Sequence, residues 1–140
     1  MTLLIDAGPL VALADPDEPR RETILELLIS EPDALVIPAP TTAEIDYLLG
    51  RRFGHAARWA FLRDLAAGRF VVAALDREDY ATIVGLEARY ADLQLGLADC
   101  ALVVLADRYQ TERILSFDER HFRTVTSLRG EAFTLLPADA

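Results

Sequence analysis

Short runs of aliphatic residues alternate with longer amphipathic stretches along this chain of 140 residues. Each run is shorter than a typical helix and nearly continuous in apolar residues, which is typical of strands buried on both faces. The runs are TLLID (2–6), ALVIP (34–38), RFVVAAL (69–75), RILSFD (113–118) and AFTLL (132–136). The pattern therefore predicts five β-strands.

The stretches between these runs repeat apolar residues at three- and four-residue spacing, which predicts helices. The predicted helical segments are 9–30, 40–53, 55–68, 77–92, 96–110 and 118–122. Strands that alternate with helices of this length indicate an α/β fold with a mainly parallel five-stranded sheet. Because no linker, repeat or low-complexity tract interrupts the pattern, we expect a single domain over residues 1–140.

Composition and charge exclude several kinds of function. Hydrophobic residues make up 52% of the chain, too many for a disordered protein. The net charge of −9 argues against general electrostatic binding to nucleic acid. All 14 basic residues are arginine, so the chain has no lysine for a P-loop or a Schiff base. The single cysteine and the lack of a basic N-terminal leader favour a cytoplasmic protein.

Four acidic residues are predicted to meet at one edge of the sheet. Asp6 ends the first strand, and Asp118 follows the fourth. Glu44 is expected in the first turn of the helix after the second strand, and Asp99 near the start of the helix that leads into the fourth. The carboxyl ends of parallel strands lie at one edge, which is where such sheets bind ligands. We therefore expect the four carboxylates to lie close together.

Each of these acids also has a purely structural interpretation. Asp6 and Asp118 precede predicted helices and could cap their free N–H groups. The stretch from Thr41 to Glu44 fits a capping box. Asp99 could complement the dipole of its helix.

The surroundings of Asp99 favour a metal site over the dipole interpretation. Its neighbours along the helix are apolar, so the carboxylate is expected to be buried, and buried carboxylates are rarely unpaired. Arg108 lies too far along the same helix to reach it. Four carboxylates without histidine or cysteine select hard cations such as Mg²⁺ or Mn²⁺, which suit phosphodiester hydrolysis.

The motifs LLIDAGPLVAL, PTTAEIDYLL, GLADCALVVLADRY and ILSFDERHF cover nearly the whole chain in this order. Together they resemble PIN-domain ribonucleases, and among them the VapC-type toxins of VapBC toxin–antitoxin pairs. The resemblance implies a PIN-like three-layer fold and a Mg²⁺- or Mn²⁺-dependent endoribonuclease. It implies that the catalytic, metal-binding acids are Asp6, Glu44, Asp99 and Asp118.

The same resemblance implies further features of the protein. Ser116, two positions before the last acid, is expected to support the metal ligands or to position a water molecule. A homodimer and an antitoxin partner, whose C-terminal tail enters the catalytic groove, are also implied. Ala7 departs from the pattern, because many family members carry Ser or Thr directly after the first acid.

Binding of RNA by an acidic protein requires a local concentration of cations. Five arginines lie between residues 50 and 70, and only Asp64 opposes them there. Guanidinium groups match phosphate geometry, so we expect Arg51 and Arg52 to bind the RNA backbone, although both also suit the C-terminal end of a helix. His55 and His121 lack a second histidine at ligand spacing, which favours surface roles for both.

Two other functions fit parts of the sequence. A non-catalytic PIN-like interaction module would keep the acidic edge only to bind a metal or a partner. An aspartyl-phosphate receiver is disfavoured because it requires a lysine, and a haloacid-type phosphatase because Gly8 stands where its second aspartate would lie.

Overall fold

A five-stranded sheet forms the centre of the computed structural model, which describes residues 2–140. The strands are β1 (Leu3–Ile5), β2 (Leu35–Pro38), β3 (Val71–Ala73), β4 (Arg113–Leu115) and β5 (Thr134–Leu136). Their order across the sheet is β3-β2-β1-β4-β5, and every neighbouring pair is parallel. The predicted α/β class and the five strands are confirmed, and the sheet is parallel throughout.

Seven α-helices lie within residues 2–140 and connect the strands. They are α1 (Ala7–Ala12), α2 (Arg21–Ser30), α3 (Ala39–Phe53), α4 (His55–Ala66), α5 (Arg77–Arg89), α6 (Gly96–Arg108) and α7 (Glu119–Thr124). A short 3₁₀ turn, Ala91–Leu93, separates α5 from α6, so the helix predicted for 77–92 ends three residues early.

The helices cover both faces of the sheet and form two hydrophobic cores. Successive residues of a strand point to opposite faces, so Leu3 and Ile5 pack in the core that holds α1 to α4. Leu4 points the other way, into the core formed by α5, α6 and α7. Burial of β1 on both faces explains why it is continuously apolar and lies at the centre of the sheet.

The helix predicted for residues 9–30 is wrong in its middle. It is divided into α1 and α2, with turns between Leu13 and Arg20. Pro16 and Pro19 explain the break, because proline lacks an N–H donor and disfavours helical geometry in the residue before it. The side chain of Asp15 accepts a hydrogen bond from the N–H of Asp17 at 2.9 Å, a local contact that favours a turn.

Candidate active site

The register between β1 and β4 creates a site at their carboxyl ends. Ile5 pairs with Leu115, and the N–H of Asp6 donates to the carbonyl of Leu115 at 3.0 Å. In the sheet, β2 lies on one side of β1 and β4 lies on the other. The strand order therefore reverses between β1 and β4. Ligands of open α/β sheets bind at this position.

Ser116 joins the two acids that follow these strands. Its hydroxyl donates to Asp6 Oδ2 at 2.8 Å and accepts a hydrogen bond from the N–H of Asp118 at 3.0 Å. The serine is almost completely buried, so both bonds are shielded from water. Ser116 therefore fixes the orientation of the Asp6 carboxylate relative to the start of α7.

Asp6 and Asp118 both cap helices, as one interpretation of the sequence predicted. Asp6 Oδ1 accepts from the N–H of Ala7 at 2.8 Å, and Asp118 Oδ1 accepts from the N–H of His121 at 3.1 Å. Each cap uses one carboxylate oxygen. The second oxygen of Asp118 lies 2.8 Å from His121 Nδ1, and that of Asp6 accepts from Ser116, so capping and a role at the site are compatible.

Asp99 lies in the first turn of α6 and is buried, as predicted, with only 8% of its surface exposed. Burial raises the pKa of its carboxyl to about 6. A hydrogen bond from His121 opposes that shift, while the charges of Asp6 and Asp118 add to it. The carboxylate form of Asp99 is therefore costly at neutral pH unless a cation is close.

His121 is that nearby cation candidate, and the prediction of a surface role for it is wrong. Its Nδ1 atom lies 2.6 Å from Asp99 Oδ2 and 2.8 Å from Asp118 Oδ2, and its side chain is only 16% exposed. Partial burial acts to lower its pKa, but the hydrogen bond to Asp99 and the charges of Asp118 and Asp99 raise it overall. The exposed His55, by contrast, packs against the Trp59 ring, as expected for a surface residue.

Glu44 lies at the margin of the site. It is the sixth residue of α3, not a member of its first turn, because the helix begins at Ala39 after an N-cap at Pro38. The proposed capping box is absent, and the buried hydroxyl of Thr41 has no hydrogen-bond partner among residues 2–140. Partial burial, together with the charge of Asp6, raises the pKa of the exposed Glu44 carboxyl.

The donor set fits a divalent cation. Within residues 2–140, Asp99, Asp118 and His121 place one ligand atom each within 4.8 Å of one another. Asp6 adds a third carboxylate. Burial raises the pKa of Asp6, and the charge of Asp118 adds to this shift. Hydrogen bonds from Ser116 and Ala7 oppose it. Mutual repulsion among these acids is what a bound cation would relieve.

A family model for the PIN domain matches residues 3–127. The chain belongs to the PIN-domain family. Ribonuclease VapC26 of Mycobacterium tuberculosis is 38% identical to this PIN domain over 135 residues, which are 96% of this chain and 100% of that protein. At this identity and coverage, the chain is a PIN-domain ribonuclease of the VapC type.

Two solved structures share the fold of this PIN domain. VapC20 of M. tuberculosis, a toxin that cleaves the sarcin–ricin loop, has a TM-score of 0.75 at 19% identity over 83% of this chain and 89% of its own. VapBC2 of Rickettsia felis, bound to a DNA fragment from its promoter, has a TM-score of 0.69 at 13% identity over 96% and 98%. The predicted PIN-like three-layer fold is thereby confirmed.

The arginines between residues 50 and 70 differ in their pairing. Arg58 Nε lies 2.9 Å from Asp46 Oδ1, and Arg69 Nη1 lies 2.6 Å from Asp64 Oδ1. Arg51 and Arg52, in the last turn of α3, are exposed and form no ion pair within residues 2–140. Their charge therefore remains available to a ligand.

Among residues 2–140, no helix is both long enough and apolar enough to cross a membrane.

Proposed function

We propose that this PIN domain is a metal-dependent endoribonuclease that hydrolyses RNA phosphodiester bonds in the cytoplasm, and that it is the toxin of a toxin–antitoxin pair. The observation that carries the proposal is the gathering of Asp6, Asp99 and Asp118 at the β1–β4 edge. Burial and mutual repulsion raise the pKa values of Asp6 and Asp99, so the site favours a cation. Homology to a ribonuclease supports the assignment of RNA as substrate.

Asp6, Glu44, Asp99 and Asp118 would hold one or two Mg²⁺ or Mn²⁺ ions. When bound, such ions supply a water molecule of lowered pKa and positive charge near the leaving oxygen. Glu44, exposed at the margin, would complete the site from the α3 side.

The contribution of Ser116 is to hold the carboxylate of Asp6. Its hydroxyl donates a hydrogen bond to Asp6 Oδ2, while Asp6 Oδ1 accepts one from the N–H of Ala7. Because both oxygens have a donor, Asp6 presents a fixed acceptor surface to an ion, and little reorganisation is needed when one binds. This geometry supports the expected role of Ser116 behind the ligands.

Arg51 and Arg52 would bind the RNA backbone beside the site. Arg52 and Phe53, at the end of α3, line a surface cavity together with Gly8 and Phe117. Gly8 follows Asp6 by two positions, and Phe117 precedes Asp118, so this cavity adjoins the acidic edge. A phosphate held by Arg52 would therefore lie along a path that leads to the carboxylates.

An antitoxin and a second copy of the chain are the proposed protein partners. Tyr47, Phe53, Trp59 and Leu62 leave large apolar side chains exposed on α3 and α4, which is unusual for a surface with no partner. The fold neighbour VapBC2 of R. felis supports the proposal of an antitoxin partner. An arginine in the tail of the antitoxin would neutralise the acidic edge through charge-assisted hydrogen bonds. Light scattering at tens of micromolar is expected to show a dimer.

The test is cleavage of RNA by purified protein free of any partner. We expect cleavage with Mg²⁺ or Mn²⁺, none after chelation, and recovery when metal is restored. Asp118→Asn should be inactive, whereas Asp107→Asn, on the exposed end of α6, should cleave like the wild type.

A folded, metal-bound wild type that leaves RNA intact under all these conditions would contradict the nuclease proposal. That result would favour the non-catalytic interaction module.

A further inference from the structure

The position of His121 relative to the acids is set by the start of α7. Asp118 caps this helix through Oδ1, which accepts from the backbone N–H of His121 itself. The cap fixes the backbone of His121 three residues after the carboxylate, and the ring then reaches the second oxygen, Asp118 Oδ2, at 2.8 Å. The capping residue and the ring therefore form one local unit.

The ring is held from a second direction as well. Asp99, on α6, contacts the same Nδ1 atom at 2.6 Å. The backbone of Leu93, in the turn before α6, also hydrogen-bonds to the ring. Contacts from the start of α7, from α6 and from the turn before α6 thus fix the orientation of one imidazole, whereas a surface histidine has no such support. A hydrogen bond between the ring and a backbone group, such as that with Leu93, commonly orients a ligating imidazole.

The three donor atoms lie close enough together to become ligands of a single ion. Ligand atoms at about 2.1 Å from one ion are separated by about 3 Å in an octahedron. The contacts from Nδ1 to the two carboxylate oxygens, 2.6 Å and 2.8 Å, are slightly shorter than that. Small side-chain adjustments would open the cluster enough to admit an ion between the three atoms.

We propose that His121 is a nitrogen ligand of the metal ion at the acidic edge, and that it makes the site prefer Mn²⁺ to Mg²⁺. The proposal rests on the metal site of the proposed function. Mg²⁺ takes oxygen ligands almost exclusively, whereas affinity for transition metals increases when imidazole joins the ligand set. The sequence, read as an all-oxygen site, gave no reason to prefer one ion over the other.

The competing arrangement is a ring that only neutralises the carboxylates and leaves when a metal ion binds. The two arrangements predict opposite effects of removing the imidazole. Loss of a ligand weakens binding of Mn²⁺, whereas loss of a competing cation strengthens binding of both ions.

The most direct test is pulsed electron paramagnetic resonance on the wild-type protein loaded with Mn²⁺. We expect the hyperfine coupling of a directly bound nitrogen, which changes when the histidines are labelled with ¹⁵N. The chain has only two histidines, so His55→Asn serves as the matched control and should keep the coupling. Loaded wild-type protein without nitrogen coupling would overturn the proposal, and this measurement does not depend on any variant folding.

Calorimetric titration with Mn²⁺ and with Mg²⁺ measures the selectivity. His121→Asn should weaken Mn²⁺ binding at least about tenfold, the loss typical of even indirect support for a metal ligand, and should weaken Mg²⁺ binding less. His55→Asn should leave both affinities unchanged. Equal or tighter Mn²⁺ binding by folded His121→Asn would contradict the proposal.

These measurements separate the inference from the nuclease proposal. A wild type that binds Mn²⁺ through nitrogen without cleaving RNA would support the ligand and refute the nuclease. Cleavage of RNA by a Mn²⁺-loaded protein without nitrogen coupling would support the nuclease and refute His121 as a ligand. A wild type that binds no Mn²⁺ at all would refute the metal site and the ligand together.

Discussion

The acidic edge and the arginine-rich segment, residues 50–70, differ in how their charges are paired. In the segment, Arg58 and Arg69 each have an acidic partner within 3 Å, at 2.9 Å and 2.6 Å. At the edge, the two carboxylates of Asp99 and Asp118 share the ring of His121. Burial, with the charges of neighbouring carboxylates adding to it, raises the pKa values of Asp6 and Asp99.

Charges that have no partner of opposite sign are the ones that can bind a charged ligand. The charges of Arg58 and Arg69 are neutralised by their acidic partners and are not free to bind a ligand. Ion pairs near the surface contribute little to stability. The acidic edge has more carboxylates than the one imidazole of His121 neutralises, so it has the capacity to bind a cation. Arg51, Arg52 and Arg63 are the exceptions within the segment, because they are exposed and form no ion pair among the described residues.

The largest expected effect comes from neutralising a carboxylate at the edge. Asp6→Asn, Asp99→Asn and Asp118→Asn should each lower kcat/KM for RNA at least about 100-fold, because a bound metal ion stabilises the transition state by several kcal/mol. Glu44→Gln should cost less, since Glu44 is exposed at the margin of the site.

Steady-state cleavage of a labelled RNA at saturating Mn²⁺ measures these losses, with Asp107→Asn as the control on α6. Robust cleavage by Asp99→Asn would show that the edge is not the catalytic site.

The second effect is on stability without metal. Burial raises the pKa of Asp99 to about 6 from its ordinary 3.8, so the folded state binds this proton more tightly than the unfolded state. Stability should therefore increase as the pH falls through about 6, by on the order of 2 kcal/mol for the Asp99 contribution. His121, whose pKa is also raised, acts in the same direction.

Urea unfolding in chelator at about pH 8 and about pH 5 measures this dependence. Asp99→Asn should flatten it, and Asp107→Asn should not. A wild type that is more stable at the higher pH would contradict the assigned shift.

The sequence predicted the fold well because its signals are local. The doubly buried strands are continuous aliphatic runs, and strands alternating with helices imply a parallel sheet. The break between α1 and α2 was missed although Pro16 and Pro19 indicate it. The four acids were predictable because strand ends in a parallel sheet lie at one edge.

The place of His121 among the acidic residues was not predicted, because its contact with Asp99 is set by tertiary structure. The search for a second histidine at ligand spacing assumed a local site, whereas Asp99 lies 22 positions away on another helix. One local signal was available: His121 stands three residues after a helix-capping aspartate, a position whose backbone the cap holds. Glu44 was placed one turn too early because Thr41 and Glu44 mimic a capping box that does not form.

The third effect is smaller and concerns the arginines. Replacing Arg51 and Arg52 with glutamine should weaken RNA binding and flatten the log–log salt dependence by about 1.4, roughly 0.7 for each lost phosphate contact with single-stranded RNA. The control with matched charge is the double replacement of Arg58 and Arg69, whose partners are Asp46 and Asp64.

Binding is measured by fluorescence anisotropy in an inactive Asp118→Asn background, so that the RNA stays intact. An unchanged slope and affinity for the Arg51 and Arg52 variant would return these residues to a structural role at the end of α3.

The central claim, that the acidic edge is a metal site, is tested most directly by thermal unfolding of the partner-free protein in chelator and in millimolar Mn²⁺. Because a ligand specific to the native state stabilises it, the melting temperature of the wild type should rise with Mn²⁺. Asp99→Asn should melt slightly higher than the wild type in chelator, since one repulsive charge is gone, and should lose most of the response to Mn²⁺. Identical melting of the wild type with Mn²⁺ and with chelator would contradict the account.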